Sequence, residues 1–371
     1  MSGVKPDLQS RQPTSLYYAR LSKTALEAAP NPGSSGYAVG VNCCNFSAAR
    51  GFSNASHPMK TRTFLLVAGL VALVPLSAFA KVERVVDKTF TVQPGGTFKA
   101  QTQGGDIRVE PGAGDTVKVV ARQKIRANTD AEADELLKDL TLTIEQQGND
   151  VIAMAKYPDR PFGFHFGSWP PVQVDFIVTV PNRYNTDLHT SGGDITVGNL
   201  TGKMLARTSG GDVKYGQIDG TVDAGTSGGD VQLASCSGAT KLRTSGGDVT
   251  AERIAGPADL GTSGGDIVAK HVENALQAHT SGGDIEAGIF GTLKGDCSLG
   301  TSGGDVTVTV DKSVACQLDA STSGGGVQAA GLTITLESGG IGKSRLVGKV
   351  NGGGPLLKLR TSGGDIAVRL R

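Results

Sequence analysis

The amino-acid sequence predicts an all-β fold: a single-chain β-solenoid (β-helix) of about 18–21 residues per coil, behind a β-rich N-terminal cap containing one short helix. Three observations predict it. First, Ser-Gly-Gly-Asp occurs eight times, opening at Ser191, Ser209, Ser227, Ser245, Ser263, Ser281, Ser302 and Ser362, and the first six openings are 18 residues apart. A degenerate copy, Ser323-Gly324-Gly325-Gly326, precedes the last. Second, glycine reaches 54 of 371 residues without the collagen triplet, while aromatics make up only 5%. With regularly spaced Val, Ile and Leu, that composition reads as short strands joined by tight turns. Third, each copy holds two alternating apolar runs closed by glycine, which makes two short strands with one inward side each. Such a copy has no room for a helix or a four-stranded blade. The economical structure is one coil per copy, with each position stacked on the same position of the next.

The elements follow in order. Residues 1–58 precede a complete export signal and are taken as a start-site artefact or disordered leader, outside the fold. Residues 59–80 read as a signal peptide, with Lys60 and Arg62 as the basic segment, Phe64 to Leu76 as the apolar segment and Ala78-Phe79-Ala80 as the cleavage site. The apolar run is short for a bilayer span and carries Pro75, so no membrane span is expected after cleavage. Residues 81–186 form the cap region. Its expected strands lie at Thr89 to Val92, Val117 to Ala121, Leu140 to Ile144, Val151 to Ala155 and Val174 to Val180. Between them, Thr129 or Asp130 can cap a short helix whose Ala133, Leu136, Leu137 and Leu140 share one face. Gln103 to Ile107 is a divergent first copy of the repeat turn.

Residues 187–371 are the solenoid. Counting Ser191 as position one, position five is always Ile or Val, and position ten is Leu200, Ile218, Cys236, Ile254, Val272 and Phe290. Apolar residues also fall at fourteen and sixteen, and position eighteen is Thr in every 18-residue copy. Later coils lengthen to 21 residues, and the chain ends on a last copy followed by Val368-Arg369-Leu370-Arg371, whose basic side chains would blunt an exposed edge. About ten stacked coils would give a rod on the order of 50 Å at ~4.8 Å per coil.

Net charge is +1, and no Lys/Arg stripe is present, so nucleic acid is not an expected partner. Beyond the leader's Cys43 and Cys44, the cysteines are Cys236, Cys297 and Cys316. Their odd number, and the two-residue offset between Cys297 and Cys316 in what read as neighbouring repeats, favour core filling over a disulfide.

The export signal, the lead-in ending Val178-Thr179-Val180-Pro181, the Thr-Ser-Gly-Gly-Asp-Ile/Val array and the closing Asn351-Gly352-Gly353-Gly354-Pro355 together resemble the bacterial putative-adhesin family of β-strand-repeat proteins, a domain of unknown function. The resemblance covers roughly residues 85–371. It implies a β-solenoid on an extracytoplasmic protein and brings no catalytic residues. On that basis the chain reads as a non-enzymatic binding or scaffolding protein of the cell envelope, exported to the periplasm or surface of a diderm bacterium. Its expected partners are a glycan or other envelope polymer, or envelope proteins.

Two groups of residues are candidates for function. Asp194, Asp212, Asp230, Asp248, Asp266, Asp284 and Asp305 should stack on one edge, with neighbouring carboxylates repelling by nearly ~1 kcal/mol even in water. Each can accept N–H groups within its own turn, aided by Arg207, Arg243 and His279, and this turn-forming role is the preferred one. The alternative is a Ca²⁺-stabilised β-roll-like stalk, although that roll needs acidic turns in both halves of the coil. No other cofactor is expected. The second group is the Pro-bounded loop 158–171, whose Phe162, Phe164, His165, Phe166 and Trp169 could stack on sugar rings or instead cover the end of the core. A glycan-cleaving β-helix is a further alternative. It would need a cleft of paired carboxylates, whereas these coils are nearly uniform and His189 and His279 sit five coils apart. Tyr215 falls at an inward position.

Overall fold

The computed structural model describes residues 82–158 and 170–371. Wherever apolar residues alternate in a repeat, a strand forms and turns them inward. In the copy opening at Ser227, the strand Val231–Cys236 buries Val231, Leu233 and Cys236, and Thr240–Arg243 buries Thr240 and Leu242. Equivalent positions of successive coils then pair in parallel. Val213, Val231, Val249, Ile267 and Ile285 make one inward column, and Ala224, Leu242, Leu260 and Ala278 make another. Every one of these residues is at most 2% exposed. Two parallel ladders result, one from each strand of the coil, with the core between them.

Both ladders continue into the cap region. Ile107–Gly112 pairs in parallel with Ile195–Val197 and with Val172–Pro181, and Thr97–Gln101 pairs with Asn185–His189 and with Asp150–Lys156. Antiparallel strands close the ends. Val82–Thr91 and Thr116–Ile125 cover Val172–Pro181, and Thr141–Gln147 covers Asp150–Lys156. At the other end Arg345–Val350 and Ile334–Gly342 cover Cys316–Thr322. A repeat stack needs such covers because each coil alone leaves an open edge. The described residues hold 26 strands and one helix, and no helix among them is long and apolar enough to cross a membrane.

The helix is Asp130–Lys138, and Thr129 is its cap. The Thr129 hydroxyl accepts the Glu132 N–H at 3.2 Å, while the Glu132 carboxylate accepts the Asn128 N–H at 2.8 Å. Ala133 is buried, and Leu136, Leu137 and Leu140 pack half-buried on the core, the face expected from their spacing.

Chain order and spatial order part company near the C-terminus. Val306–Val310 pairs with Ile366–Leu370, which pairs on its other side with Val327–Ala330. Likewise Cys297–Gly300 pairs with Leu356–Thr361, which pairs in turn with Cys316–Thr322. The last coil of the sequence is therefore inserted between two earlier ones. This corrects the expectation that Thr361 to Arg371 forms an exposed terminal edge. The antiparallel pair Ile334–Gly342 and Arg345–Val350 covers the outer side of Cys316–Thr322, so the returning chain takes the slot on its inner side.

Two smaller corrections follow from register. Leu357 lies between Cys297 and Leu318, so the coils of Cys297 and Cys316 are not neighbours. All three described cysteines are free and buried, and burial pushes the Cys316 thiol up to about 11, as befits a core-filling group. At position ten of the sixth copy, Ile289 rather than Phe290 sits opposite Val272, because the coil loses one residue of register after Ala269. Phe290 is left at the surface, stacked on His271 with ring centroids 4.2 Å apart.

Candidate functional site

The repeat turn is built by three side chains whose hydrogen bonds run between coils. The Thr before each Ser is buried. Its hydroxyl donates to the carbonyl of the second glycine one coil earlier, as in Thr208 to Gly193 (2.9 Å), Thr262 to Gly247 (2.8 Å) and Thr301 to Gly283 (2.8 Å). The same hydroxyl accepts the N–H of the second glycine of its own turn, at 3.3–3.4 Å for Gly211, Gly265 and Gly304. That glycine cannot carry a side chain: a Cβ on Gly211, Gly229, Gly247, Gly265 or Gly283 would overlap the backbone carbonyl of the second glycine one coil back. The first glycine has no such overlap, with 3.3–3.6 Å to the nearest atom at Gly210, Gly228, Gly246, Gly264 and Gly282.

Asp194, Asp212, Asp230, Asp248, Asp266, Asp284 and Asp305 do share one edge. One carboxylate oxygen of each accepts the backbone N–H of the equivalent residue in the next coil. From Asp106 through these seven to Asp365 and finally Gly326, the bonds measure 2.7–3.0 Å. The within-turn bond expected from sequence is thus corrected to a bond between coils. Gly-Gly-Asp fits both arrangements locally, and only the stack brings a free N–H within reach. Arg207 and Arg243 do not assist these aspartates. They pair instead with Asp223 (2.8 Å) and Asp259 on the opposite ladder, whereas Asp212 is met by Lys214 at 3.3 Å.

The ladder has defined ends. Its first rung, Asp175, is 7% exposed and uses both oxygens, one for the Asp106 N–H (3.2 Å) and one for Lys124 Nζ (2.5 Å). That hydrogen bond, opposed by partial burial, raises the Lys124 pKa above its usual value. The last rung is Gly326, in the outermost coil, where no further coil offers an N–H to accept. The degenerate copy therefore lacks its carboxylate where the stack stops. Charge-assisted bonds to each N–H offset the repulsion along the row. Among the described residues no group of three or more His, Cys, Asp or Glu is arranged to hold a metal ion.

What the edge presents outward is regular. The serines of all nine copies are exposed, and none of their hydroxyls has a hydrogen-bond partner among the described residues. Beside them run the exposed first glycines and the aspartates, exposed except for the half-buried Asp212 and Asp230. Phe162, Phe164, His165, Phe166 and Trp169 lie outside the described residues. His189 and His279 occupy one column five coils apart, and His189 pairs with Asp187 at 2.7 Å. Tyr215 is buried in the core with its hydroxyl unpartnered, and burial raises its pKa.

The fold and this turn define a repeat β-solenoid whose coils are locked together by Thr, Gly and Asp. The chain belongs to the Toastrack DUF4097 family, whose profile matches residues 98–369. Solved structures with which it shares similarity include a putative adhesin from Bacteroides fragilis, at 14% identity over 78% of this chain and 97% of that one, with a TM-score of 0.34. A putative adhesin from Parabacteroides merdae matches at 10% identity, covering 78% of this chain and 96% of that one, with a TM-score of 0.32. A putative lipid binding protein from Parabacteroides distasonis matches at 12% identity over 77% and 96%, with a TM-score of 0.31. No curated protein matches the chain.

Proposed function

We propose that this is an exported, non-enzymatic, adhesin-like binding or scaffolding protein of the bacterial envelope, and that its Ser/Asp edge meets a repetitive partner such as a glycan. One observation carries the reading. The exposed serine hydroxyls recur once per coil and are unused by the fold, so the edge offers hydroxyl groups and carboxylate oxygens at a fixed spacing of ~4.8 Å. A polymer of hydroxyl-bearing units can be matched rung by rung by such an edge, and weak contacts then add along its length. The nearly uniform coils suit extended recognition better than a catalytic cleft. The acidic character of the edge favours neutral polymers over polyanions.

The test is binding of the full chain to neutral oligosaccharides of graded length. Affinity should rise with oligomer length until the ligand spans the edge, and replacing Ser227, Ser245 and Ser263 together by Ala should flatten that rise. Absence of binding at every length, or binding independent of length, would contradict the reading.

A further inference from the structure

Outside the Ser/Asp edge, the outward face of the second ladder carries a pattern with a period of two coils. In the column of His189, Arg207, Gly225, Arg243, Gly261, His279, Gly300 and Arg360, a basic side chain alternates with glycine from Arg207 onward. Each basic side chain before a glycine leans over the coil that follows. A Cβ on Gly225 would lie 3.3 Å from Arg207, one on Gly261 would overlap Arg243, and one on Gly300 would lie 3.5 Å from His279 Nδ1. In that next coil, two residues before the glycine position, stands the acid that answers the cation. Arg207 pairs with Asp223 at 2.8 Å, Arg243 pairs with Asp259, and Arg360 pairs with Asp319 at 2.5 Å.

The pattern fails at one step. Beyond His279, the place of Asp223, Asp259 and Asp319 is taken by Ser298. His279 has no hydrogen-bond or ion-pair partner among the described residues, and neither has Lys358, which stands beside Ser298 in register on the next coil. Both side chains are exposed. Around them opens a basin of about 520 Å³ lined by Arg243, Gln277, His279, Ser298 and Lys358 among others. Arg243 and Arg360 at its rim pair with Asp259 and Asp319, which leaves Lys358, flanked in register by Ser298 on one side and Asp319 on the other, as the unpaired cation of the basin.

We propose that this basin binds an external carboxylate, borne by an acidic saccharide of the uronate type, in the place left by Ser298. The carboxylate would accept from Lys358 and His279 as Asp223 accepts from Arg207, while the Ser298 hydroxyl and Gln277 amide meet sugar hydroxyls. Apart from Gly300 and the core residues Ala278 and Leu299, both buried, the lining is polar or charged, which suits a hydroxyl-rich carboxylate ligand better than the apolar anchor of a protein partner. The site is separate from the Ser/Asp edge and from the neutral polymer proposed there.

The experiment is titration of the full chain with trigalacturonate, against a neutral trisaccharide and poly-glutamate, for the wild type and for Ser298→Asp and Lys358→Gln. Ser298→Asp supplies the missing acid from within, so the variant should fold with an unchanged or higher melting temperature and bind trigalacturonate at least about tenfold more weakly. Lys358→Gln should weaken binding while keeping the melting temperature. Undiminished binding by a folded Ser298→Asp variant, absence of trigalacturonate binding to the wild type, or equal binding of poly-glutamate would each overturn the proposal. Loss of the length effect with neutral oligosaccharides would count against the edge alone, so the two readings fail separately.

Discussion

Between Ser209 and Ile289 the neighbours of each coil in space are its neighbours in sequence; from Cys297 onward they are not. The first region grows by addition, each 18-residue copy laid on the last with the same Thr, Gly and Asp bonds. The second closes by insertion, its last coil entering between the coils of Asp305 and Gly326 and making the same bonds to both. The difference teaches that the turn chemistry specifies that two coils stack, but not which two. A repeat array gains stability mainly from nearest-neighbour interfaces, so exchanging neighbours of equal chemistry costs little while a gap costs two interfaces.

The sharpest way to break the comparison is deletion. Removing residues 356–371 takes out an interior coil and leaves Cys297–Gly300 and Val306–Val310 without their outer neighbour. This truncation should abolish the single cooperative unfolding transition, measured by circular dichroism, or leave only a fragment ending near Thr301 protected in hydrogen exchange.

The next largest effect concerns coil approach. Gly247→Ala places a methyl against a carbonyl of the preceding coil and should destabilise by ~1–3 kcal/mol or more, while Gly246→Ala, with 3.5 Å of room, should cost less than ~1 kcal/mol. Equal losses from the two substitutions, measured by denaturant unfolding, would show that the stack is looser than described.

Smallest are the ladder ends and rungs. Asp248→Asn keeps an acceptor for the Asp266 N–H and removes like-charge repulsion, so stability should change by no more than ~0.5 kcal/mol. Gly326→Asp should be equally silent because no further coil donates to it. With one oxygen of each aspartate engaged by a backbone N–H, millimolar Ca²⁺ should leave the melting temperature where EDTA leaves it. A large Ca²⁺-dependent rise would instead make the Asp row a metal site.

Much of this fold was legible because a period repeats its own proof. Val231, Val249 and Ile267 sit at one position of successive copies, and that alone places them in one buried column. The coil order at the end was not legible, since the copies at Ser302, Ser323 and Ser362 offer the same donors and acceptors to any neighbour. One signal was present: Gly326 lacks the carboxylate every other copy has, which marks it as the coil with no further repeat turn stacked on it. The Asp partner was hidden for a similar reason, because a within-turn and a between-coil N–H are equally close to a Gly-Gly-Asp carboxylate on paper. Alternation of Arg207, Gly225, Arg243, Gly261, His279 and Gly300 could be read from sequence. Arg360 joins that column only once the inserted coil is known.

The most direct measurement is a pair of engineered cysteine variants compared for disulfide formation. Ser362 stacks on Ser302, with the Gly363 N–H bonded to the Ser302 carbonyl at 3.0 Å, whereas Ser323 lies one coil further out. Adjacent coils are ~4.8 Å apart and within disulfide reach, while twice that spacing is beyond it. The variant carrying Ser302→Cys and Ser362→Cys should therefore oxidise to an intrachain disulfide under native conditions, and the variant carrying Ser302→Cys and Ser323→Cys should not. Cross-linking of the second pair in place of the first would mean that the coils stack in chain order, contradicting the inserted C-terminal coil.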